Sequence, residues 1–338
     1  MFDAPEVERI DEATFTQTFS TTCINLASST LNSTISGFSD EYFASASNLL
    51  TPTPPIRRAG YFVETGAWYD GWETRRHNRE PYDWVTIKLG VPSATIHGLC
   101  IDTTYFNGNH APSISLDGRA DEGDEWTEIL GQCECGPSQK HFWAFKKPTM
   151  TVGEVRLRMW PDGGIARVHL MGKVLPPVLT AAEGTVDLAS VAMGAVAQQW
   201  SDQHFGVAGN LIMPGRGKDM GDGWETKRSR EKGHTDWVVV KLGSPGVVEE
   251  VLVDTLHFRG NFPQAVEVYA ATAGESDSGE IKGDDKRWEK IVEKSECQKD
   301  TEHRFKVEGG KVYTHVKMVI IPDGGVKRLR VFGKRSQV

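Results

Sequence analysis

The sequence has no long apolar run and no long cluster of basic residues. Among its 338 residues no stretch of about 18 consecutive apolar residues occurs, so a membrane-spanning helix is not expected. The formal net charge is −8 at pH 7, and no block of lysine and arginine is long enough to follow a phosphate backbone. We therefore expect neither a membrane nor a nucleic acid as a partner.

Cysteine is scarce, with five residues that find no counterparts between the two halves of the chain. The first residues, MFDAPEVERIDEATF, are acidic and lack the apolar centre of a secretory signal. An odd, unmatched set of thiols without a signal argues against a disulfide framework. We expect an intracellular, cytoplasmic protein with free cysteines.

Several common catalytic signatures are also absent. The sequence contains no serine nucleophile elbow, no glycine loop that cradles phosphate and no His-Glu-x-x-His zinc helix. No cofactor is expected on these grounds. A divalent metal is left open, because nitrogen and oxygen ligands are available in His77, Asp83, Asp102 and His110, although their spacing matches no known metal signature.

What the chain does contain is a long internal repeat. The segment GWETRRHNREPYDWVTIKLG (71–90) returns as GDGWETKRSREKGHTDWVVVKLG (221–243), and the segments FSDEYF and PDGG return as WSDQHF and PDGG. A duplication of this length predicts two domains of the same fold. We predict an N-terminal arm at 1–19, a first repeat at 20–176, a linker at 177–181 and a second repeat at 182–338.

Short alternating strands dominate each repeat. In the first, Val85, Ile87 and Leu89 share one face of a predicted strand, and the second repeats this alternation, with Gly90 and Gly243 expected to end the two strands. Further short apolar runs are separated by Gly, Pro, Asp and Asn, with hardly any helical period. The pattern predicts an all-β protein made of two tandem antiparallel β-sandwiches.

Paired acidic and basic residues follow each repeated tryptophan. Glu73 stands near Arg76, and Glu225 near Arg228. An arginine can grip an anionic substrate with two parallel hydrogen bonds, and a glutamate can act as a base or accept hydrogen bonds from a urea-like group. The alternative is that the two side chains only pair with each other on a loop.

A second set of candidates follows the repeated Asp-Thr pairs. Asp102 and Asp254 end apolar strands and lead into the Gly-Asn turns that carry Asn109 and Asn261. Such a strand end suits the rim of a binding site, but the Gly-Asn pair also suits a plain turn. The repeats differ nearby, because one copy has His110 where the other has phenylalanine, and the other has His257 and Arg259 in place of tyrosine and asparagine.

In their order and their duplication, these motifs resemble the allantoicase family. They are Gly-Trp-Glu-Thr, Asp-Trp-Val, Lys-Leu-Gly, Asp-Thr-x-x-Phe-x-Gly-Asn and Pro-Asp-Gly-Gly, each present twice from about residue 20 onward. The resemblance implies two jelly-roll sandwiches of the galactose-binding-like type, hydrolysis of allantoate to ureidoglycolate and urea in purine breakdown, and a homo-oligomer.

The implied reaction assigns roles to the candidates. Substrate binding is expected at Arg76, Asn109, Arg228, Arg259 and Asn261. Proton transfer is expected among Glu73, Asp102, His110, Glu225, Asp254 and His257. The competing interpretation is a non-catalytic β-sandwich that binds a carbohydrate or another ligand, since fold does not determine function.

Overall fold

A computed structural model describes residues 6–76, 79–178, 180, 184–274 and 279–336. The chain divides into two compact units, Met1–Leu175 and Pro176–Val338. The division falls beside the predicted linker, of which residues 179 and 181 lie outside the described part. No helix in the described part has the length and apolar character needed to cross a bilayer.

The first unit is built mainly from short strands. Two 3-10 turns, Ser29–Leu31 and Ala46–Leu50, connect some of them. In chain order its elements are β1 (Val7–Ile10), α1 (Glu12–Phe19), β2 (Ile24–Asn25), β3 (Thr34–Phe38), β4 (Phe62–Val63), β5 (Gly66–Ala67), β6 (Trp72–Glu73), β7 (Asp83–Lys88), β8 (Ala94–Asp102), β9 (Ser113–Arg119), β10 (Thr127–Glu134), β11 (Lys140–Phe145), β12 (Glu154–Trp160), β13 (Gly164–Ile165) and β14 (Arg167–Val174).

The second unit repeats the same plan. Its 3-10 turns are Val191–Met193, Ala208–Ile212 and Met220–Asp222. Its strands are β15 (Val186–Asp187), β16 (Val196–Trp200), β17 (Trp224–Glu225), β18 (Asp236–Asp254), β19 (Ala265–Ala271), β20 (Glu289–Glu296), β21 (Glu302–Lys306), β22 (Val312–Ile321), β23 (Gly325–Val326) and β24 (Arg328–Arg335).

Two antiparallel sheets form the first sandwich. One has the strand order β1-β11-β8-β14-β2 and the other β10-β9-β12-β7-β3. The apolar positions that alternate along β7, Val85 and Ile87, are fully buried in the core, as the period of two requires. The all-β prediction of tandem jelly-roll sandwiches is confirmed.

One long strand, β18, serves both layers of the second sandwich. Its first part pairs with β16 and β22, and its last part pairs with β24 from Gly246 and with β21 from Glu250. The first unit divides this path between β7 and β8. The prediction that Gly243 ends a strand is therefore wrong, because Gly243 lies inside β18.

The repeated glycine has a packing role instead. A Cβ atom added to Gly90 would stand 1.9 Å from the carbonyl oxygen of Leu31, and one added to Gly243 would stand 2.0 Å from that of Met193. In each repeat a 3-10 turn crosses the strand so closely that only glycine fits at this position. The sequence pattern located the residue correctly but could not distinguish a strand end from a backbone crossing.

The described part of the predicted N-terminal arm, from residue 6, belongs to the first sandwich. Strand β1 pairs with β11, with Val7 opposite Phe145. Asp11 caps α1 by accepting the N–H of Thr14 at 2.8 Å, and Phe15 is buried against the sheet. Two helical turns are too short to establish a period, so this helix was not predicted.

Alanine substitutions at a crowded glycine and at an uncrowded one test the backbone crossing. Gly90→Ala is expected to lower the free energy of unfolding by roughly 1–3 kcal/mol or more, because the neighbouring backbone must move. Gly209→Ala is the control, since a Cβ there meets nothing within 4 Å. Urea unfolding of both variants measures the difference, and equal stabilities would contradict the crossing as the reason for the glycine.

Three histidines lie in one sheet of the first unit, His97 on β8, His141 on β11 and His169 on β14. Burial is the main cause that lowers the pKa of each ring below its usual 6.5. Arg9 reinforces this at His141, where its guanidinium lies 2.6 Å from Nδ1. The folded unit therefore favours neutral rings.

This arrangement predicts acid sensitivity of the first unit. Below pH 6.5 these histidines take up protons in the unfolded chain but remain neutral in the folded chain. The free energy of unfolding is therefore largest above that pH and falls as the pH drops toward the lowered pKa values of the folded state. The slope is at most about 1.4 kcal/mol per pH unit for each histidine. Unfolding measured between pH 7.5 and 5 should show a smaller loss for His169→Gln than for the unmodified chain; an unchanged slope would contradict the assignment.

Candidate active site

A buried tryptophan positions the candidate glutamate in each repeat. Trp72 is fully buried and its Nε1 donates to the backbone carbonyl of Asp40 at 2.8 Å. Trp224 makes the same contact with Asp202 at 2.9 Å. Because the glutamate is the next residue along the strand, this contact fixes the position of the Glu73 backbone.

The aspartate of that contact also holds the chain just beyond the glutamate. The Asp40 carboxylate accepts the backbone N–H of Arg75 at 2.7 Å, and the Asp202 carboxylate accepts that of Lys227 at 2.6 Å. The Gly-Trp-Glu-Thr segment is thus fastened on both sides of its glutamate by one distant residue.

The Pro-Asp-Gly-Gly turn closes the other side of the site. Thr74 donates its backbone N–H to Gly163, and Thr226 donates its own to Gly324, each at 3.0 Å. Gly163 has φ +148°, a conformation that favours glycine. The turn places its aspartate beside the cluster that contains the glutamate.

In the first repeat three side chains converge on Glu73. Its Oε1 accepts hydrogen bonds from Asn109 Nδ2 at 2.9 Å and from Arg76 Nη2 at 3.2 Å. Arg76 also donates to Asp162 Oδ1 and to the Asn109 carbonyl, both at 3.0 Å. Burial raises the pKa of Glu73, and the Asn109 hydrogen bond and the Arg76 charge oppose that rise.

The second repeat assembles the same residue types in a more open form. Asn261 Nδ2 donates to Glu225 Oε1. Arg228 is exposed and forms no hydrogen bond or ion pair with any residue that the structure describes. The turn aspartate, Asp323, accepts the backbone N–H of Ser229 at 2.8 Å. A cavity of about 590 Å³ lies over these groups.

Asp102 and Asp254 lie outside these clusters. Asp102 is 2% exposed and its Oδ1 accepts the backbone N–H of Thr104 at 2.8 Å, a local turn contact. Asp254 is 1% exposed and accepts hydrogen bonds from Arg216 at 2.8 and 2.9 Å. Both aspartates end strands as predicted, but the structure shows them in turn and anchoring contacts and does not bring them to the glutamates.

The asymmetric candidates are also placed elsewhere. His110 Nδ1 lies 3.0 Å from the Asn107 carbonyl, and the ring lines a separate shallow depression. His257 has φ +70° and donates its backbone N–H to Asp300 at 2.7 Å. Arg259 is exposed, with its Nε 3.6 Å from Asp300 Oδ2. His77 lies outside the described residues.

Comparisons with known proteins agree on one family. A profile of the allantoicase repeat matches residues 24–175 and again 186–336. An allantoicase of Neurospora crassa is 50% identical over 99% of this chain and 98% of its own length, and one of Saccharomyces cerevisiae is 51% identical over 92% and 93%. The chain belongs to the allantoicase family.

A solved structure agrees with that membership. The crystal structure of the Saccharomyces cerevisiae allantoicase superposes with a TM-score of 0.86 at 45% identity, covering 97% of this chain and all of the other. The two sandwiches described above are therefore allantoicase repeats, and the two Glu–Asn–Arg clusters occupy matching places within them.

Metal ligands do not gather in the described part of the allantoicase repeats. No three His, Cys, Asp or Glu side chains there form a group that could hold an ion. Asp83, one of the suggested ligands, accepts a hydrogen bond from Ser39 Oγ at 2.7 Å. The five cysteines are free thiols. The expectation that no cofactor is required stays a prediction.

Some residues of the candidate site were not predicted from the sequence. Asp40 and Asp202 were not nominated, although each stands in a segment that is repeated with little change, Ser-Asp-Glu-Tyr-Phe and Ser-Asp-Gln-His-Phe. Their partners are distant in sequence, so spacing alone carries no signal of the contact. The Pro-Asp-Gly-Gly pattern indicates mainly a turn and leaves Asp162 and Asp323 as secondary site candidates, because their contacts also depend on distant segments.

Deleting one indole N–H tests the tryptophan contact. Trp224→Phe removes the indole N–H together with part of the buried bicyclic ring, so the Asp202 carbonyl loses its donor and the core loses packing. We expect a loss of about 1 kcal/mol or more in unfolding free energy. Trp288→Phe is the matched control, because its Nε1 donates to Lys282 in an exposed position where water can replace it. Thermal unfolding compares the two; equal losses would contradict a buried positioning contact.

Proposed function

We propose that this chain hydrolyses allantoate to ureidoglycolate and urea. The observation that carries the proposal is the convergence, in both repeats, of a glutamate carboxylate and an asparagine amide from separate segments, with an arginine three residues after the glutamate. The similarity to allantoicases over almost the whole chain supports the same conclusion.

The functional groups of the cluster match those of allantoate. The substrate carries one carboxylate and two ureido groups on a central carbon. A guanidinium such as that of Arg76 or Arg228 pairs with the carboxylate, which is the geometry that arginine binds best. The amides of Asn109 or Asn261 bond a ureido group, since an amide side chain both donates and accepts hydrogen bonds.

The glutamate is assigned the proton transfers. Water adds its oxygen to the central carbon as the bond from that carbon to one ureido nitrogen breaks. The carboxylate takes a proton from the water and returns one to the departing nitrogen, so that urea leaves neutral and the carbon keeps a hydroxyl group.

Other properties of the proposal come from the sequence analysis. Self-association, a cytoplasmic location and the absence of a required cofactor stay predictions. In this mechanism side chains alone move the protons, and holding the substrate against the carboxylate supplies the orientation that the reaction needs.

The first test is urea release from allantoate by the purified protein, before and after exhaustive chelation. We expect activity in both conditions, because the proposed proton carriers are side chains. Activity lost on chelation and restored by one divalent metal would contradict the cofactor-free mechanism. Absence of urea from a folded protein would contradict the reaction and favour the non-catalytic ligand-binding interpretation.

Removing both asparagine amides tests the cluster without choosing a repeat. The double variant Asn109→Ala, Asn261→Ala is expected to lower kcat/KM by about 100-fold or more, because both glutamates lose their fixed donor and the ureido contact is lost. Asn107→Ala is the control, since that side chain is exposed and only its backbone carbonyl is in contact with His110. Near-normal activity of the double variant would exclude the proposed cluster.

A further inference from the structure

Although the two repeats share one set of residues, only one of the two clusters is free to receive a substrate carboxylate. We infer that the second repeat contains the working site, and that Arg228 is its carboxylate-binding residue. The inference rests on the proposed function, because it assumes that the bound molecule is an anionic ureide.

In the first repeat the arginine already has carboxylate partners. Arg76 is paired with Glu73 and Asp162, and it also donates to a backbone carbonyl. Its side chain is 31% exposed, while those of the two carboxylates are 8% and 12% exposed. A substrate carboxylate would have to displace an intact, partly buried ion pair, and breaking such a pair is costly.

In the second repeat the counterpart of that ion pair is absent within the described part of the chain. Asp323, which corresponds to Asp162, is turned toward the backbone N–H of Ser229 and not toward the guanidinium. Arg228 is exposed, its fork of N–H donors bonds to none of the described residues, and it lines the same cavity as Glu225. An unpaired arginine next to a carboxylate–amide pair is a receptor for an anion that also carries amide-like groups.

The space above the cluster has the dimensions of a ligand site. Its volume of about 590 Å³ lies within the range of small-molecule pockets. Its lining includes Gln264, Phe262 and Phe205, the last with 66% of its surface exposed. The combination of charged and amide groups with two phenyl rings fits a small polar anion.

The two glutamates differ in burial and in the number of hydrogen bonds that they accept. Glu73 is 6% exposed and its Oε1 receives two donors, one of them charged. Glu225 is half-buried and, among the described residues, its carboxylate receives a hydrogen bond only from Asn261. The carboxylate of the second repeat therefore keeps capacity to accept hydrogen bonds from water or substrate, which a proton carrier needs.

Matched substitutions in the two repeats test the inference. Arg228→Ala is expected to lower kcat/KM by about 100-fold, chiefly through a higher KM because ground-state binding is removed, with an unchanged Tm. Arg76→Ala is expected to lower the Tm, because two carboxylates lose their partner, and to reduce kcat/KM at least about ten-fold less. Lys227→Ala, an exposed neighbour, is the control with normal kinetics.

Two further measurements keep the result decisive. Calorimetric titration with allantoate reports binding without turnover, so loss of binding in Arg228→Ala but not in Arg76→Ala supports the assignment even if the protein released no urea. Arg228→Lys should restore only part of the affinity, since lysine lacks the planar fork. A larger kinetic loss in Arg76→Ala than in Arg228→Ala, in folded variants, would overturn the inference.

Discussion

A single buried hydrogen bond, from a tryptophan indole to an aspartate carbonyl, organises each repeat. In both copies it fastens the two-residue strand that carries the glutamate to an earlier segment, 32 residues away at 2.8 Å for Trp72 and 22 residues away at 2.9 Å for Trp224. The indole is fully buried, so water cannot replace its partner and the contact is obligatory. The carboxylate of the same aspartate then accepts the N–H of the residue that follows the Thr, and the glutamate between them has little freedom.

The duplicated scaffold has kept its shape while its polar contacts have diverged. Both repeats retain the tryptophan, the aspartate, the glutamate and the asparagine in the same relation. They differ at the arginine, because Arg76 donates to Asp162, whereas Arg228 has no such pair with Asp323 among the described residues. One ion pair at a turn thus separates a closed network from an open anion receptor, and fold alone does not reveal the difference.

Agreement between sequence and structure follows the range of the interactions involved. The alternation of Val85 and Ile87 and the turn residues between strands are local, so period and turn chemistry predicted the sandwiches well. Helix α1 and the role of Gly243 were missed, because one is too short to show a period and the other depends on a backbone crossing. Among the candidate residues, those adjacent to the repeated tryptophan converge, whereas Asp254 and Arg259 bond to other parts of the loops.

The sequence by itself determined the duplication, the all-β class, the family resemblance and the nomination of the glutamate, arginine and asparagine residues. These depend on residue identity and on spacing within a segment, which a sequence displays directly. Only the tertiary structure decided which candidates meet, that Asp102 is a turn anchor, and that Arg76 is paired while Arg228 is exposed. Those outcomes depend on contacts between distant segments, where a carboxylate is captured by whichever donor the folded backbone brings within hydrogen-bonding distance.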